Sequence, residues 1–86
     1  MAVMKGIPVI PHAFKTGILM SASLHLLAAM PHADFLEYCS QETVLSKNLM
    51  KNHFPVDSDG FVSIPDKPGL GIEIDEDILK AYTVKI

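Results

Sequence analysis

The sequence predicts an α/β fold, on the strength of three consecutive segments. Residues 6–14, GIPVIPHAF, form a short apolar run rich in β-branched side chains, which is typical of a buried strand. Residues 16–30 have the apolar pattern of a helix, and residues 34–39, DFLEYC, predict a second short strand. The order strand, helix, strand requires a parallel strand pair joined by a right-handed crossover.

The first predicted strand contains two prolines, Pro8 and Pro11. Proline has no backbone N–H to donate to a strand ladder, so this strand is expected at a sheet edge, or with its prolines near the strand ends. His12 then lies where the chain leaves the sheet.

The predicted helix at residues 16–30 begins with Thr16, a good N-cap residue, and is closed by Pro31, which cannot continue the hydrogen-bond ladder. Its apolar side chains cover most of the helix surface: Ile18, Leu19, Met20, Ala22, Leu24, Leu26, Leu27 and Ala29. A helix of this kind is expected to be buried on more than one side.

The remainder of the chain is less regular. A short helix is expected around residues 45–51, followed by a hairpin whose turn at 58–60 uses Gly60 for the positive φ of a tight turn. After a loop rich in proline and glycine, Asp75 is expected to cap a last short helix that has Glu76 and Asp77 in its first turn. Leu79 and Tyr82 share one face of that helix, so this tail is expected to clasp another part of the protein.

Composition limits the possible functions. The 86 residues are 49% hydrophobic, and a domain this small buries only about 60% of its unfolded surface, so some apolar surface is expected to meet a partner. The net charge is −3, and the sequence contains no cluster of Lys and Arg residues. Both features argue against nucleic acid as a binding partner. No segment approaches the ~20 apolar residues of a membrane span. The single cysteine, Cys39, is expected to be a small buried hydrophobe in a soluble, cytoplasmic protein.

Three segments in this order, PHAF, SASLHLLAAMPHADFLEY and DGFVSIPDKPGLGIEIDEDIL, resemble the last quarter of an enolase-superfamily chain of the mandelate racemase and muconate lactonizing enzyme branch, of the acid-sugar dehydratase type. The resemblance implies a partial TIM barrel consisting of its last two strands and the helix between them, plus an irregular tail with a hairpin and a short helix. Residues 1–44 would belong to the barrel, and residues 45–86 to a tail that packs on the family's capping domain.

The resemblance also implies catalytic residues. His12 would end the seventh strand and act as general acid or base, and Glu37 would end the eighth and donate a hydrogen bond to the substrate carboxylate. The family removes a proton next to a carboxylate and stabilises the enediolate on Mg²⁺. Without the resemblance, His12 is more often a surface or capping residue and Glu37 a solvated acid. His25, His32 and His53 are interpreted as packing or surface residues.

This chain lacks the family's lysine base, its three acidic metal ligands and the aspartate that orients the histidine, so neither Mg²⁺ nor another cofactor is expected to bind the chain alone. The leading hypothesis is a C-terminal fragment of a Mg²⁺-dependent racemase or dehydratase acting on a small hydroxy acid or acid sugar, inactive by itself. One alternative is one chain of a split enzyme, and another is a non-catalytic, self-associating small protein. The expected partner is a second copy in a homo-oligomer or the missing N-terminal portion.

Overall fold

The structure is a computed structural model that describes residues 1–86. Its helical elements are a 3-10 turn at Val3–Lys5, helix α1 at Gly17–Ala28, a π-helix at Val44–Asn48 and helix α2 at Glu76–Tyr82. β-structure is limited to three isolated bridges, which pair His12 with Glu37, Met50 with Ile74, and Val56 with Val62. None of the helices is long and apolar enough to cross a membrane.

The two predicted strands do not form, so the expected partial barrel is not confirmed. Segments 6–14 and 34–39 run parallel but meet only at the single bridge between His12 and Glu37. Pro8 and Pro11 remove two donors from the first segment, and a parallel pair without a third strand has no further ladder to join. The two segments have the predicted order along the chain and the predicted parallel direction, but neither forms a strand.

Helix α1 starts as predicted. Thr16 is extended, and its Oγ1 accepts a hydrogen bond from the backbone N–H of Leu19 at 3.3 Å. The helix ends at Ala28, two residues before the expected Met30, since the residue before Pro31 is disfavoured in helical geometry. Only one side is buried, contrary to the prediction, because no element covers Leu26, which is 47% exposed.

The core is small and links the two halves of the sequence. One cluster holds the buried residues Ala13, Met20, Leu24, Met50 and Phe54. A Cβ on Gly17 would lie 1.7 Å from Cε of Met50, so only glycine lets the methionine pack this closely on the start of α1. The proposed division between residues 1–44 and 45–86 stays a prediction.

Polar contacts attach the tail to α1 and to the segment after the π-helix. The fully buried Ser21 donates from Oγ to the carbonyl oxygen of Leu70 at 2.5 Å. Asn52 donates to the carbonyl of Gly71 at 3.1 Å and accepts from the N–H of Glu73 at 3.0 Å. Lys51 Nζ lies 2.6 Å from Glu73 Oε1. Residues 70–73 are therefore attached to α1 and to residues 51 and 52, and the expected packing of residues 45–86 on a capping domain stays a prediction.

The predicted local elements of the second half are confirmed with shifted bounds. The hairpin closes at Val56 and Val62, and Gly60 in its turn has φ +84°. Asp75 caps α2 by accepting two backbone N–H bonds at 3.1 Å. The helix expected around 45–51 is the π-helix, whose start is fixed by a capping box in which Thr43 and Ser46 exchange hydrogen bonds.

Candidate functional site

The structure brings His12 and Glu37 together. They face each other across the one parallel bridge, and His12 Nδ1 lies 2.6 Å from Glu37 Oε1. Both side chains are more than half exposed, at 65% and 55%. When Glu37 is ionised it can only accept, so the imidazole must donate from Nδ1, which leaves Nε2 facing away from the carboxylate. That nitrogen is free to exchange a proton with a bound molecule.

Phe14 is a third member of this site, and the sequence reasoning did not single it out. Its ring stacks on the imidazole of His12 with centroids 5.8 Å apart and planes 8° from parallel. The available signal was the spacing, because residues two apart in an extended segment project to the same side. Phe14 gives the His12 ring an apolar neighbour on one face.

A cavity of about 260 Å³ adjoins the pair. Its lining consists of His12, Ala13, Phe14, Glu37 and residues 38–41. An acid, an imidazole and an aromatic ring thus border a space that suits a small organic molecule better than a macromolecule. We call this space the His–Glu cavity.

The residues of this chain do not fit the Mg²⁺ that the family resemblance implies. Magnesium binds through several converging oxygen ligands, with carboxylates foremost. No group of three or more His, Cys, Asp or Glu side chains lies close enough together to hold a metal ion. Glu37 is the only acidic side chain that lines the His–Glu cavity, and its Oε1 is engaged by His12.

The other histidines and the cysteine lie outside the pair. His25 Nδ1 contacts the carbonyl oxygen of Ser21, one helical turn earlier, at 2.8 Å. His32 occupies the turn after α1 with φ +64°, and His53 is exposed. Cys39 is only half-buried, which corrects the expectation of a buried hydrophobe, because its side chain lines the open His–Glu cavity.

Comparisons with known proteins identify the family. Residues 1–78 match the model of the enolase C-terminal domain-like family. The chain is 31% identical over 91 aligned positions to D-galactarolactone cycloisomerase of Agrobacterium fabrum, covering 95% of this chain and 24% of the relative. It is 32% identical to arabinonate dehydratase of Saccharolobus solfataricus, covering 99% of this chain and 22% of that enzyme.

A solved structure agrees with these relatives. The chain superposes on a mandelate racemase-like protein of Bordetella bronchiseptica RB50, crystallised with 2-oxoglutarate/phosphate, with a TM-score of 0.89 and 34% identity. The match covers 98% of this chain and 22% of that one, so the α/β fold corresponds to its C-terminal part. The chain spans less than a quarter of the length of the relatives it matches. With its family model, relatives and structural neighbour all pointing to one group, the chain belongs to the enolase C-terminal domain-like family.

Proposed function

We propose that this chain supplies the histidine and glutamate of a racemase- or dehydratase-type active site, and that it is inactive until other segments complete the site. The observation that carries the proposal is the 2.6 Å contact between His12 Nδ1 and Glu37 Oε1 at a parallel bridge. Relatives named arabinonate dehydratase and D-galactarolactone cycloisomerase support a small hydroxy acid or acid sugar as the substrate class.

The proposed chemistry is a proton transfer at the carbon next to a carboxylate. His12 Nε2 accepts the proton as the C–H bond breaks, and the electron pair moves into the carboxylate to give an enediolate. Glu37, once its carboxyl group carries a proton, donates a hydrogen bond to the carboxylate oxygen on which negative charge develops. In a racemase, an acid on the opposite face, carried by another segment, then gives a proton to the carbon; in a dehydratase, the imidazolium of His12 gives its proton to the departing hydroxide.

Glu37 has to change partners in this scheme. It accepts from His12 in the free chain, whereas its proposed role is to donate to a substrate. An incoming carboxylate in the His–Glu cavity offers a new acceptor to Glu37, and an orienting acid from another segment would then be needed for His12. In the free chain, His12 and Glu37 are therefore in a resting arrangement. The oxygen ligands for Mg²⁺ must also come from other segments.

Exposed apolar side chains beside the pair support the need for such segments. Ile7 and Ile10 are each 54% exposed and Phe35 is 70% exposed, all in the two segments that flank the bridge. In a barrel such side chains would pack against neighbouring strands or helices. The segments that cover them would lie next to the His–Glu cavity and could carry the missing catalytic groups.

Complementation tests this proposal. The chain is co-expressed with arabinonate dehydratase of Saccharolobus solfataricus cut before its matching segment, and deuterium exchange next to the carboxylate of arabinonate is measured. We expect no exchange by either piece alone, exchange by the pair, and loss of at least about 100-fold with His12→Ala, as is typical for a general acid–base residue. The dehydratase's own C-terminal segment is the positive control.

Two results would overturn the proposal. One is exchange by this chain alone at a rate that His12→Ala removes, because the site would then be complete without partners. The other is a complex that forms with the truncated enzyme and shows no exchange while the positive control does. The second result would favour a non-catalytic, self-associating protein.

A further inference from the structure

A second cavity lies beside the His–Glu cavity. Its volume is about 310 Å³, and neither His12 nor Glu37 lines it. The two cavities share a common wall made of Ala13, Phe14, Tyr38, Cys39 and Gln41. Two methionines, Met20 and Met50, line only this second space, which we call the methionine cavity.

The floor of the methionine cavity is part of the hydrophobic core. Ala13, Met20, Met50 and Phe54 all line it, and each is less than a tenth exposed. The wall is held in place, because Tyr38 donates its hydroxyl hydrogen bond to the carbonyl oxygen of Phe54 at 2.9 Å. The space therefore has a buried apolar floor and an open, solvent-exposed side. A cavity of only ~150 Å³ with an apolar lining is known to hold a benzene ring.

The chemistry of the lining favours an aromatic occupant. The rings of Phe14, Tyr38 and Phe54 face the same space as the thioethers of Met20 and Met50. Offset or edge-to-face contacts between rings, and contacts between sulfur and a ring, are favourable beyond simple burial. Methionine also adjusts its rotamer to the shape of what it contacts.

The polar rim favours a neutral occupant over a charged one. Glu42 and Lys47 both line the cavity, and they form an ion pair with each other. Their opposite charges offset each other, so the pair presents no net charge, and His53 is the one other lining side chain that can carry a positive charge. Gln41 and Ser46 offer uncharged donors and acceptors beside them.

We propose that the methionine cavity binds a small neutral aromatic molecule with one hydrogen-bonding substituent, its ring against Met20 and Met50 and its substituent at the Gln41 and Ser46 rim. This site is independent of the proposed catalytic function. It differs in chemistry from the His–Glu cavity, which is proposed to take a carboxylate.

Phenol and benzoate test the proposal, since they share a ring and differ in charge. Each is titrated into the ¹⁵N-labelled chain while the backbone amide shifts are followed by NMR. We expect saturable phenol shifts at cavity residues with a Kd of roughly 1 mM, a weak affinity consistent with so few heavy atoms. Benzoate is expected to bind about tenfold more weakly, because the paired rim charges offer it no counter-ion.

Variants locate the binding. Ala13→Leu fills the floor of the methionine cavity and is expected to weaken phenol binding about tenfold or more. If Ala13→Leu fails to fold, Gln41→Trp, which blocks the rim of the cavity, provides the same test. Phe61→Leu is the control, because Phe61 is 69% exposed and lies outside the cavity, and it should leave phenol affinity unchanged. Glu42→Gln frees Lys47 and should narrow the preference for phenol over benzoate.

The proposal is overturned if phenol gives no saturable shifts, or if both blocking variants fold and bind phenol like the original chain. It is also overturned if benzoate binds as tightly as phenol, since the rim would then act as a cationic site. A folded Glu42→Gln variant with an unchanged preference would count against the role assigned to the ion pair.

Discussion

At the scale of single residues, the pair of His12 and Glu37 has one consequence that does not depend on catalysis. A carboxylate 2.6 Å from Nδ1 holds the imidazole proton on that nitrogen when the ring is neutral. The ring of Phe14 lies nearly parallel to the imidazole, with centroids 5.8 Å apart. The chain itself thus selects the tautomer that a general base at Nε2 requires.

We predict that ¹⁵N NMR of the chain at alkaline pH finds His12 mainly protonated at Nδ1. Glu37→Ala is expected to remove this preference, because Nδ1 then loses its acceptor. His53, which has no carboxylate partner, serves as the internal reference in the same spectrum. An unchanged His12 tautomer in Glu37→Ala would contradict the orienting role of the carboxylate.

Gly17 is a second single residue on which the packing of the core depends. We predict that Gly17→Ala destabilises the chain by about 1–3 kcal/mol, the usual cost of overpacking, despite alanine's better helix propensity. The added Cβ would lie 1.7 Å from Met50 Cε and 2.7 Å from its sulfur, so the Met50 side chain would have to leave its packed position. Urea unfolding measures the change. In the background of Met50→Ala the same substitution should cost far less, and equal costs in both backgrounds would rule out this contact as the cause.

At the scale of elements, the tail is attached by a small number of polar contacts. The hydrogen bond between the Lys51 ammonium and Glu73 raises the pKa of Lys51 above 10.5 and lowers the pKa of Glu73 below 4.5, with the mutual charge attraction acting in the same directions. The backbone N–H of Lys51 also donates to the carbonyl oxygen of Glu73 at 2.9 Å. The ion pair is exposed to solvent, so it adjusts the docking of the tail without dominating it.

The lowered pKa of Glu73 predicts weaker tail docking in acid. Its contribution is fully present above the pKa of Glu73 in the unfolded chain and is lost as pH falls through the lower folded pKa. Carboxyl ¹³C NMR should show Glu73 titrating at lower pH in the original chain than in Lys51→Met. The protection factor of the Lys51 amide, which is the intrinsic exchange rate divided by the measured rate, should fall over the same acid range only in the original chain. If Glu73 titrates identically in both proteins, the ion pair with Lys51 is not the cause of its lowered pKa.

At the scale of the whole molecule, the chain exposes too much surface for an ordinary small monomer. Its accessible surface is 6640 Å², against about 5,000 Å² for a typical folded monomer of this mass. Its radius of gyration is 14.4 Å, against about 12 Å for a compact domain of this length. The excess of about 1,600 Å² exceeds what one partner contributes to a standard interface, roughly 800 Å².

We predict that the purified chain self-associates into a soluble oligomer at micromolar concentration. Apolar surface costs about 25 cal/mol per Å² in water, so several hundred Å² of it amounts to several kcal/mol, comparable to the whole stability of a small domain. Sedimentation velocity measures the association, and Phe35→Ser, at a side chain 70% exposed, should reduce it. Co-expression with the truncated dehydratase should replace self-association by a mixed complex. A monomer that melts cooperatively would contradict this prediction.

The sequence by itself determined the features that depend on neighbouring residues. The caps at Thr16 and Asp75 and the turn at Gly60 each follow from one side chain or one glycine acting on nearby backbone. The parallel approach of the segments that carry His12 and Glu37 also followed from the order of elements and from the resemblance.

Only the tertiary structure decided whether strands form, which side of α1 is covered and what surrounds the site. A strand needs a neighbour for its backbone groups, and the apolar pattern of residues 6–14 is the same whether or not that neighbour is present. The stacking of Phe14 and the methionine cavity likewise depend on residues far apart in the chain, such as Met20 and Met50, meeting in space. Periodicity reports which residues avoid water, whereas their contacts depend on how the elements pack.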